Sequence, residues 1–272
     1  MRVVLGIVAV VAGIFVVLLA AVWYRQERMV WLPPGAVVAS GDVARRVDYD
    51  AEDGQRLYGL LVGDPASAPG TLIAFHGNAD LAVWQVPWAQ EVERRTGWAV
   101  LLAEYRGYGG LAGKPTYEGS QRDGRAAWNA VRQTLAVDSS GIAIYGHSLG
   151  SAVATELATE HPPRVLILVS PLSSARDVAR GMPFLPLGAL WPVMGRVKFD
   201  TRARVAALDA LVWVAHGERD DVLPVWMGRA VHESARRRGE LLILPRAGHN
   251  DIVDAGGEQY WDWLSRALAI GR

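Results

Sequence analysis

The feature that most constrains this chain is the segment 146–150, Gly-His-Ser-Leu-Gly, which has the form G-x-S-x-G. An apolar run at 142–145 precedes it, and a helical pattern at 151–158 follows it. A strand, a sharp turn and a helix are the context in which such a serine projects above a sheet. The turn is strained, so the residues that flank it must be small. Glycine meets that requirement at both ends, although G-x-S-x-G also occurs in ordinary strand-to-helix turns.

The remaining elements predict an α/β fold with a mainly parallel, doubly wound sheet flanked by helices. Short, almost wholly apolar runs are typical of strands buried on both faces, and they lie at 71–75, 98–103, 142–145, 165–169, 211–215 and 241–244. Helical patterns separate them, at 84–95, 117–135, 151–158, 225–237 and 258–268. A hairpin at 43–50 and 55–62 comes first, around Asp53-Gly54. Alternating strands and helices place the functional site beyond the carboxyl ends of the strands.

The amino-terminal segment predicts a membrane helix. It is uncharged from Val3 to Trp23, which is long enough to cross a bilayer core. A cleaved signal peptide is the alternative, but the apolar region is long for one and no A-x-A site stands near Ala20. We therefore expect a single-pass anchor at 1–24. Basic residues flank it on both sides, so the side of the membrane on which the catalytic domain lies stays open.

The rest of the chain divides into a linker and one catalytic domain. Trp31-Leu32-Pro33-Pro34-Gly35 interrupts any helix and predicts a linker over 25–42. The catalytic domain is expected over 43–272, with an insertion at 171–200 that forms a small cap. This insertion is rich in large apolar residues and proline, so it either packs on the sheet edge or also lines an acyl pocket.

Composition excludes several classes of function. The net charge is +0 and the pI is about 7.0, so nothing favours a nucleic-acid partner. The chain has no cysteine, which removes disulfides, thiolate metal sites and cysteine nucleophiles. We expect no cofactor and no metal.

A serine hydroxyl needs a base and an acid to become a nucleophile. In this topology the expected order along the chain is serine, acid, histidine. Of the six histidines, His249 fits as the base, since it follows the last strand in a loop. The acid should follow the preceding strand, where we choose Asp220 ahead of Asp221 and Glu218.

Further residues are expected to bind the reacting group. The amide of Leu149 and, from the loop after residue 75, the amide of Asn78 are the candidate oxyanion donors. Tyr108 and Arg106 are candidates for the pocket wall, with a structural ion pair as an equal alternative for Arg106. The predicted substrate-binding residues are Tyr108, Met182, Phe184 and Trp191.

Several motifs together resemble the α/β-hydrolase superfamily. They are His76-Gly77-Asn78-Ala79, Tyr105-Arg106-Gly107-Tyr108-Gly109, the G-x-S-x-G segment, Gly217 with Asp220 and Pro224, and Gly248-His249. More narrowly they resemble the Bem46-like serine hydrolases, a group near membrane-associated α/β-hydrolase domain proteins that carry an amino-terminal anchor. The resemblance covers 43–272 and departs at Glu104, where aspartate is more usual. It implies Ser148 as nucleophile, Asp220 as acid and His249 as base.

These expectations define a membrane-anchored serine hydrolase that cleaves carboxylic esters, with thioesters and lipid acyl esters as further candidates. Its partners would be a small-molecule or lipid acyl ester and, through the anchor, a membrane. A peptidase or amidase with the same triad, and a tethered binding protein on a hydrolase fold, are the alternatives. The sequence leaves open the acyl chain length and the oligomeric state.

Overall fold

The computed structural model describes residues 1–35, 44–181 and 187–270. Within them, eight strands form one sheet in the order β1-β2-β4-β3-β5-β6-β7-β8. The strands are β1 Arg45–Asp50, β2 Arg56–Val62, β3 Thr71–Phe75, β4 Ala99–Ala103, β5 Ile142–His147, β6 Val165–Val169, β7 Leu211–Gly217 and β8 Arg237–Leu244. The first hairpin and the β2–β4 pair are antiparallel, and all later pairs are parallel. The predicted fold class is confirmed.

Helices precede, connect and follow the strands of the sheet. In the described residues they are α1 Arg2–Val30, α2 Val86–Thr96, α3 Tyr117–Asn129, α4 Leu149–Glu160, α5 Ala175–Arg180, α6 Leu187–Met194, α7 Thr201–Ala207, α8 Trp226–Ser234 and α9 Ile252–Ala269. The segment 171–200, predicted as an insertion, contains α5 and α6 between strands β6 and β7.

Both faces of the sheet are buried, which explains why its central strands are apolar throughout. On one face Ile73 and Phe75 contribute to an apolar cluster, and on the other Leu72 and Ala74 contribute to a second. Alternate residues of one strand therefore serve opposite layers of the core.

The register brings the carboxyl ends of the central strands together. Phe75 at the end of β3 pairs with Gly146 of β5, and His147 pairs with Val169 at the end of β6. Because these ends are level with one another, the loops that follow them meet at one edge of the sheet. That edge carries the candidate site.

Several predicted boundaries differ from the structure. The helix predicted over 225–237 ends at Ser234, and β8 begins at Arg237 rather than at 241. The first residues of β8 are polar and exposed at the sheet edge, so they lack an apolar pattern and are held by pairing with β7. The last helix begins at Ile252 rather than at 258, and it is interrupted at Gly257, whose φ is 48°.

The amino-terminal helix is longer than the predicted anchor. Helix α1 is long and apolar enough to cross a membrane, and its most apolar stretch is not buried against the protein. It continues through 25–30, which belong to the predicted linker, because the first proline of the chain is Pro33. Trp31 is then buried in the core, against Tyr105 and Phe199. Of the predicted linker, residues 25–30 are thus helical and Trp31 belongs to the core.

Candidate active site

Ser148 occupies the sharp turn between β5 and α4, in a strained backbone conformation with φ 53° and ψ −119°. Such a conformation is costly for a residue other than glycine. The flanking glycines make the turn feasible. A Cβ on Gly146 would lie 2.3 Å from the carbonyl oxygen of Gly150, and a Cβ on Gly150 would lie 2.2 Å from that of Phe75. Steric crowding on both sides of Ser148 therefore explains why the flanking residues are glycine.

Ser148, His249 and Asp220 form one line of hydrogen bonds. The Ser148 Oγ lies 2.8 Å from His249 Nε2, and His249 Nδ1 lies 2.7 Å from Asp220 Oδ2. An ionised carboxylate only accepts hydrogen bonds, so Nδ1 carries the proton and Nε2 is free to accept from the serine. All three residues are buried. This arrangement can remove a proton from the serine hydroxyl.

Contacts between two loops bring the acid and the base together. The loop after β7 carries Asp220, and the loop after β8 carries His249. The amide of Arg219 donates to the carbonyl of Ala247 at 2.9 Å. The two backbones are so close at Gly217 that a Cβ there would lie 2.4 Å from the same carbonyl oxygen. Gly217 is therefore required by packing between the loops.

Asp220 is held as a carboxylate. Burial opposes its ionisation, but hydrogen bonds from His216, His249 and the amide of Leu223 outweigh burial and hold the pKa of Asp220 well below its usual range. Its other oxygen, Oδ1, accepts from the amides of Val222 and Leu223 at 3.0 and 2.7 Å. By contrast, Asp221 and Glu218 are exposed, and Glu218 pairs with Arg229. Only Asp220 of these three carboxylates has a contact with His249 among the described residues.

Two further histidines adjoin the hydrogen-bonded series Ser148–His249–Asp220, and neither was predicted to be a site residue. His216 is fully buried, and its Nε2 lies 3.1 Å from Asp220 Oδ2. His147 lies beside His249, with its Nε2 3.2 Å from the His249 carbonyl oxygen. Burial and the nearby His249 ring lower the pKa of His147 to about 4. His147 could be singled out from the sequence, because it directly precedes Ser148. The contact of His216 with Asp220 could not, because it depends on the turn at 217–223.

The loop after β3 passes directly over the serine. A Cβ on Gly77 would lie 3.4 Å from Ser148 Cβ. A buried pair supports this loop, since His76 Nε2 lies 2.8 Å from Glu104 Oε1 and Glu104 Oε2 accepts from the amide of Ala82 at 3.1 Å. Burial acts against protonation of His76, but the Glu104 carboxylate outweighs it and raises the His76 pKa. Glutamate in place of the usual aspartate thus still braces the loop.

The candidate oxyanion donors lie on either side of the serine. Leu149 is the first residue of α4, so its amide is among the four that a helix leaves without an intrahelical acceptor. The Asn78 backbone belongs to the loop over Ser148. The side chain of Asn78 has another task, because its Oδ1 accepts from the Tyr108 hydroxyl at 2.8 Å and its Nδ2 donates to the carbonyl of Val30 at 2.6 Å.

The other predicted site residues have different positions. Tyr108 is buried and supports Asn78. Arg106 does not line either cavity beside Ser148; it pairs with Asp53 and Asp123, each at 2.7 Å. Trp191 lines the apolar cavity described next. Met182 and Phe184 lie outside the described residues.

Two cavities meet at Ser148. The first, about 490 Å³, has a mixed lining with polar residues such as Asp80, Gln85, His147, His249 and Asn250 and apolar ones such as Trp88, Ile252 and Val253; we call it the polar cavity because it is the more polar of the two. The second, about 220 Å³, is mainly apolar and is lined by residues from α1, α5, α6 and the loops around them, among them Met29, Val30, Val178, Trp191, Phe199 and Leu223. A substrate with one apolar and one polar part could occupy both. In the described part of the chain, no group of three or more acidic or histidine side chains is arranged to hold a metal ion.

Comparison with known proteins identifies the family. An uncharacterized protein of Mycobacterium tuberculosis is 32% identical over 270 residues, which cover 97% of this chain and 94% of that protein. The hydrolase family described as serine aminopeptidase S33 matches residues 66–199. This chain belongs to the α/β-hydrolase superfamily.

Other members of the superfamily are similar over most of the catalytic domain. The human alpha/beta hydrolase domain-containing protein 17B is 29% identical over 213 residues, which cover 78% of this chain and 70% of that protein. An esterase of Pyrococcus furiosus has a similar fold, with a TM-score of 0.68 and 20% sequence identity, over 88% of this chain and 98% of that one. The superfamily assignment made from the motifs is confirmed.

Proposed function

We propose that this α/β-hydrolase is a membrane-anchored serine hydrolase that cleaves carboxylic esters through an acyl-enzyme. The observation that carries the proposal is the line of hydrogen bonds from Ser148 through His249 to Asp220. Triads of this kind activate a serine hydroxyl, which is otherwise a poor nucleophile at neutral pH.

In the proposed reaction, Ser148 Oγ attacks the carbonyl carbon while His249 Nε2 takes the hydroxyl proton. Asp220 keeps His249 in the required tautomer and stabilises the imidazolium. Negative charge develops on the carbonyl oxygen, and in this proposal the backbone amides of Leu149 and Asn78 donate to it. His249 then gives its proton to the leaving alcohol, and a water molecule, activated by the same base, releases the acid.

The surroundings of Ser148 favour an ester with an apolar acyl group. The apolar cavity takes the acyl part, and the polar cavity takes the leaving group. Thioesters and lipid acyl esters present the same carbonyl and fit the same division. Helix α1 supports the membrane part of the proposal, because it is long and apolar enough to span a bilayer. A cleaved signal sequence is its alternative.

A serine peptidase or amidase is the second candidate. The family description, serine aminopeptidase S33, favours it. Asp80 is the carboxylate that lines the polar cavity, but its two oxygens already accept hydrogen bonds from the amide of Leu81 and from Gln85, each at 2.7 Å, so it is not free to bind a substrate amine. We therefore place ester cleavage first.

The test uses the full chain in detergent micelles with p-nitrophenyl butyrate and an alanine p-nitroanilide. We expect ester turnover, and we expect Ser148→Ala to lower kcat by a factor on the order of 10⁶. Preference for the anilide would favour the peptidase. Equal ester turnover by the unmutated chain and Ser148→Ala would refute both candidates.

A further inference from the structure

The carboxyl-terminal end of α1 is docked onto the catalytic domain beside Ser148. Gln26 is buried, although it belongs to a helix whose apolar part is exposed. Its Nε2 donates to the carbonyl of Met194 at 2.8 Å, and its Oε1 accepts from the amide of Arg196 at 2.7 Å. Arg196 also pairs with Glu27 at 3.3 Å. These contacts join α1 to the segment that follows α6.

A second set of contacts joins α1 to the loop over the serine. Asn78 donates from Nδ2 to the carbonyl of Val30, and its Oδ1 accepts from the amide of Leu32 at 2.9 Å. One side chain thus bonds both to the end of the helix and to the residue that follows Trp31. Because Trp31 is buried, this end of α1 is fixed by packing as well as by hydrogen bonds.

The docked end completes the apolar cavity. Met29 and Val30 of α1 line it together with Val178, Ala179 and Trp191. Ser148 and Leu149 line the same cavity. Without α1, the cavity would lack one wall and would be an open groove.

The length of α1 sets the depth of the cavity relative to a bilayer. At about 1.5 Å per residue, the apolar segment from Val3 to Trp23 spans about 30 Å, the thickness of the hydrocarbon core. Met29 then lies about 9 Å beyond Trp23, near the outer edge of the headgroup layer. Val193 of α6 is 90% exposed and precedes Met194, whose carbonyl accepts from Gln26, so an exposed apolar side chain stands next to the docked end of α1.

We propose that the end of α1 is a wall of the acyl-binding cavity, and that this cavity receives the acyl chain of an ester dissolved in the membrane. The chain enters from the bilayer along α1 and brings its carbonyl to Ser148. The inference rests on the proposed esterase function. It adds that the anchor is part of the substrate-binding site.

The first experiment measures kcat/KM for p-nitrophenyl octanoate and acetate, using the full chain in lipid nanodiscs. Met29→Trp should fill the cavity and exclude part of the octanoyl chain. Loss of two buried methylenes lowers the octanoate-to-acetate ratio by about sixteenfold. Leu32→Trp is the matched control, because the Leu32 side chain is exposed and does not line the cavity. An unchanged ratio in Met29→Trp, or an equal fall in both variants, would overturn the proposed wall.

The second experiment tests entry from the bilayer. The unmutated chain is reconstituted in phosphatidylcholine vesicles, and initial rates on p-nitrophenyl palmitate are compared when the ester is loaded into the same vesicles and when an equal amount is loaded into separate vesicles. Entry from the membrane predicts a higher initial rate with the ester in the vesicles that hold the protein, although the aqueous ester concentration is the same in both arrangements. Equal initial rates would contradict it.

A third measurement separates this inference from the proposed function. Binding of a fluorescent fatty acid is measured in Ser148→Ala, which needs no turnover, and then in Ser148→Ala with Met29→Trp. We expect the second substitution to weaken binding at least tenfold. Such weakening together with no ester turnover in the unmutated chain would keep the cavity assignment and refute the esterase. Ester turnover with fatty-acid binding that does not depend on Met29 would do the reverse.

Discussion

Replacement of Asp220 by asparagine tests the assignment of the acid most sharply, because the structure specifies what each face of its carboxylate does. Oδ2 accepts from His249 and lies close to His216, while Oδ1 accepts from the amides of Val222 and Leu223. Every one of these partners is a donor to the carboxylate. An asparagine side chain has one acceptor oxygen and one donor nitrogen, so one of its two faces must meet donors with a donor.

If the side-chain nitrogen of the substituted asparagine faces His249, the imidazole has to reverse its tautomer. Nε2 then carries the proton and can no longer accept from Ser148 Oγ. Loss of the correct tautomer lowers kcat by about 10⁴-fold, which corresponds to about 5 kcal/mol of transition-state stabilisation. If the nitrogen faces the turn instead, the amides of Val222 and Leu223 lose their acceptor, and leaving the buried Leu223 amide unpaired costs about 1–3 kcal/mol of folding free energy.

The assay therefore measures both kcat on p-nitrophenyl butyrate and the free energy of unfolding. We expect Asp220→Asn to reduce one or both by these amounts. Asp221→Asn is the matched control, because Asp221 is adjacent and exposed. It should stay within about 0.5 kcal/mol in stability and retain most of its activity. If Asp220→Asn keeps full activity and stability, or if Asp221→Asn has the larger effect on kcat, the acid has been assigned wrongly.

Three other predictions concern the turn at Ser148, the histidine before it, and the Glu104 carboxylate that supports the loop after β3. Gly150→Ala places a Cβ 2.2 Å from the Phe75 carbonyl oxygen, so we expect at least about 2 kcal/mol of destabilisation. A thermal scan should show a Tm lower by roughly 4–8 °C, and an unchanged Tm would show that the turn has room for a Cβ. The lowered pKa of His147, about 4, means that the unfolded chain binds more protons between about pH 6.5 and pH 4, so stability should fall as the pH falls through that window. Chemical denaturation should show this slope, and His147→Gln should reduce it; an identical slope in the variant would exclude His147 as its source. Glu104→Gln removes the charge beside His76, and we expect the free energy of unfolding to fall by about 1–3 kcal/mol. If the variant is as stable as the unmutated chain at every pH from 6 to 8, the pair does not brace the loop.

Much of the sheet was predictable, because its central strands are buried on both faces and leave an unbroken apolar signal. The strand at 165–169 is an example, since all of its residues are buried. Strand β8 was predicted too short for the opposite reason. Its first residues, from Arg237, are exposed at an edge, and their pairing with β7 has no local signature.

The residues around the serine were predictable where a local steric or topological rule applied. The sharp turn at Ser148 requires small flanking residues, which explains Gly146 and Gly150. The chain order expected for this topology predicts His249 as the base. Long-range contacts were not predictable. Neither the contact of His216 with Asp220 nor the docking of Gln26 on the segment after α6 has a counterpart in the local pattern. The docking of Gln26 was not predicted because the sequence indicates a linker over 25–42, whereas residues 25–30 are helical and Trp31 is part of the core.

Covalent labelling decides whether Ser148 is the nucleophile. The full chain in detergent is treated with a fluorophosphonate, digested and mapped by mass spectrometry. We expect one phosphonylated serine, at 148, in the folded protein, and loss of that label in chain unfolded beforehand or carrying His249→Ala. No label at Ser148 in the folded chain, or equal labelling of folded and unfolded protein, would contradict it.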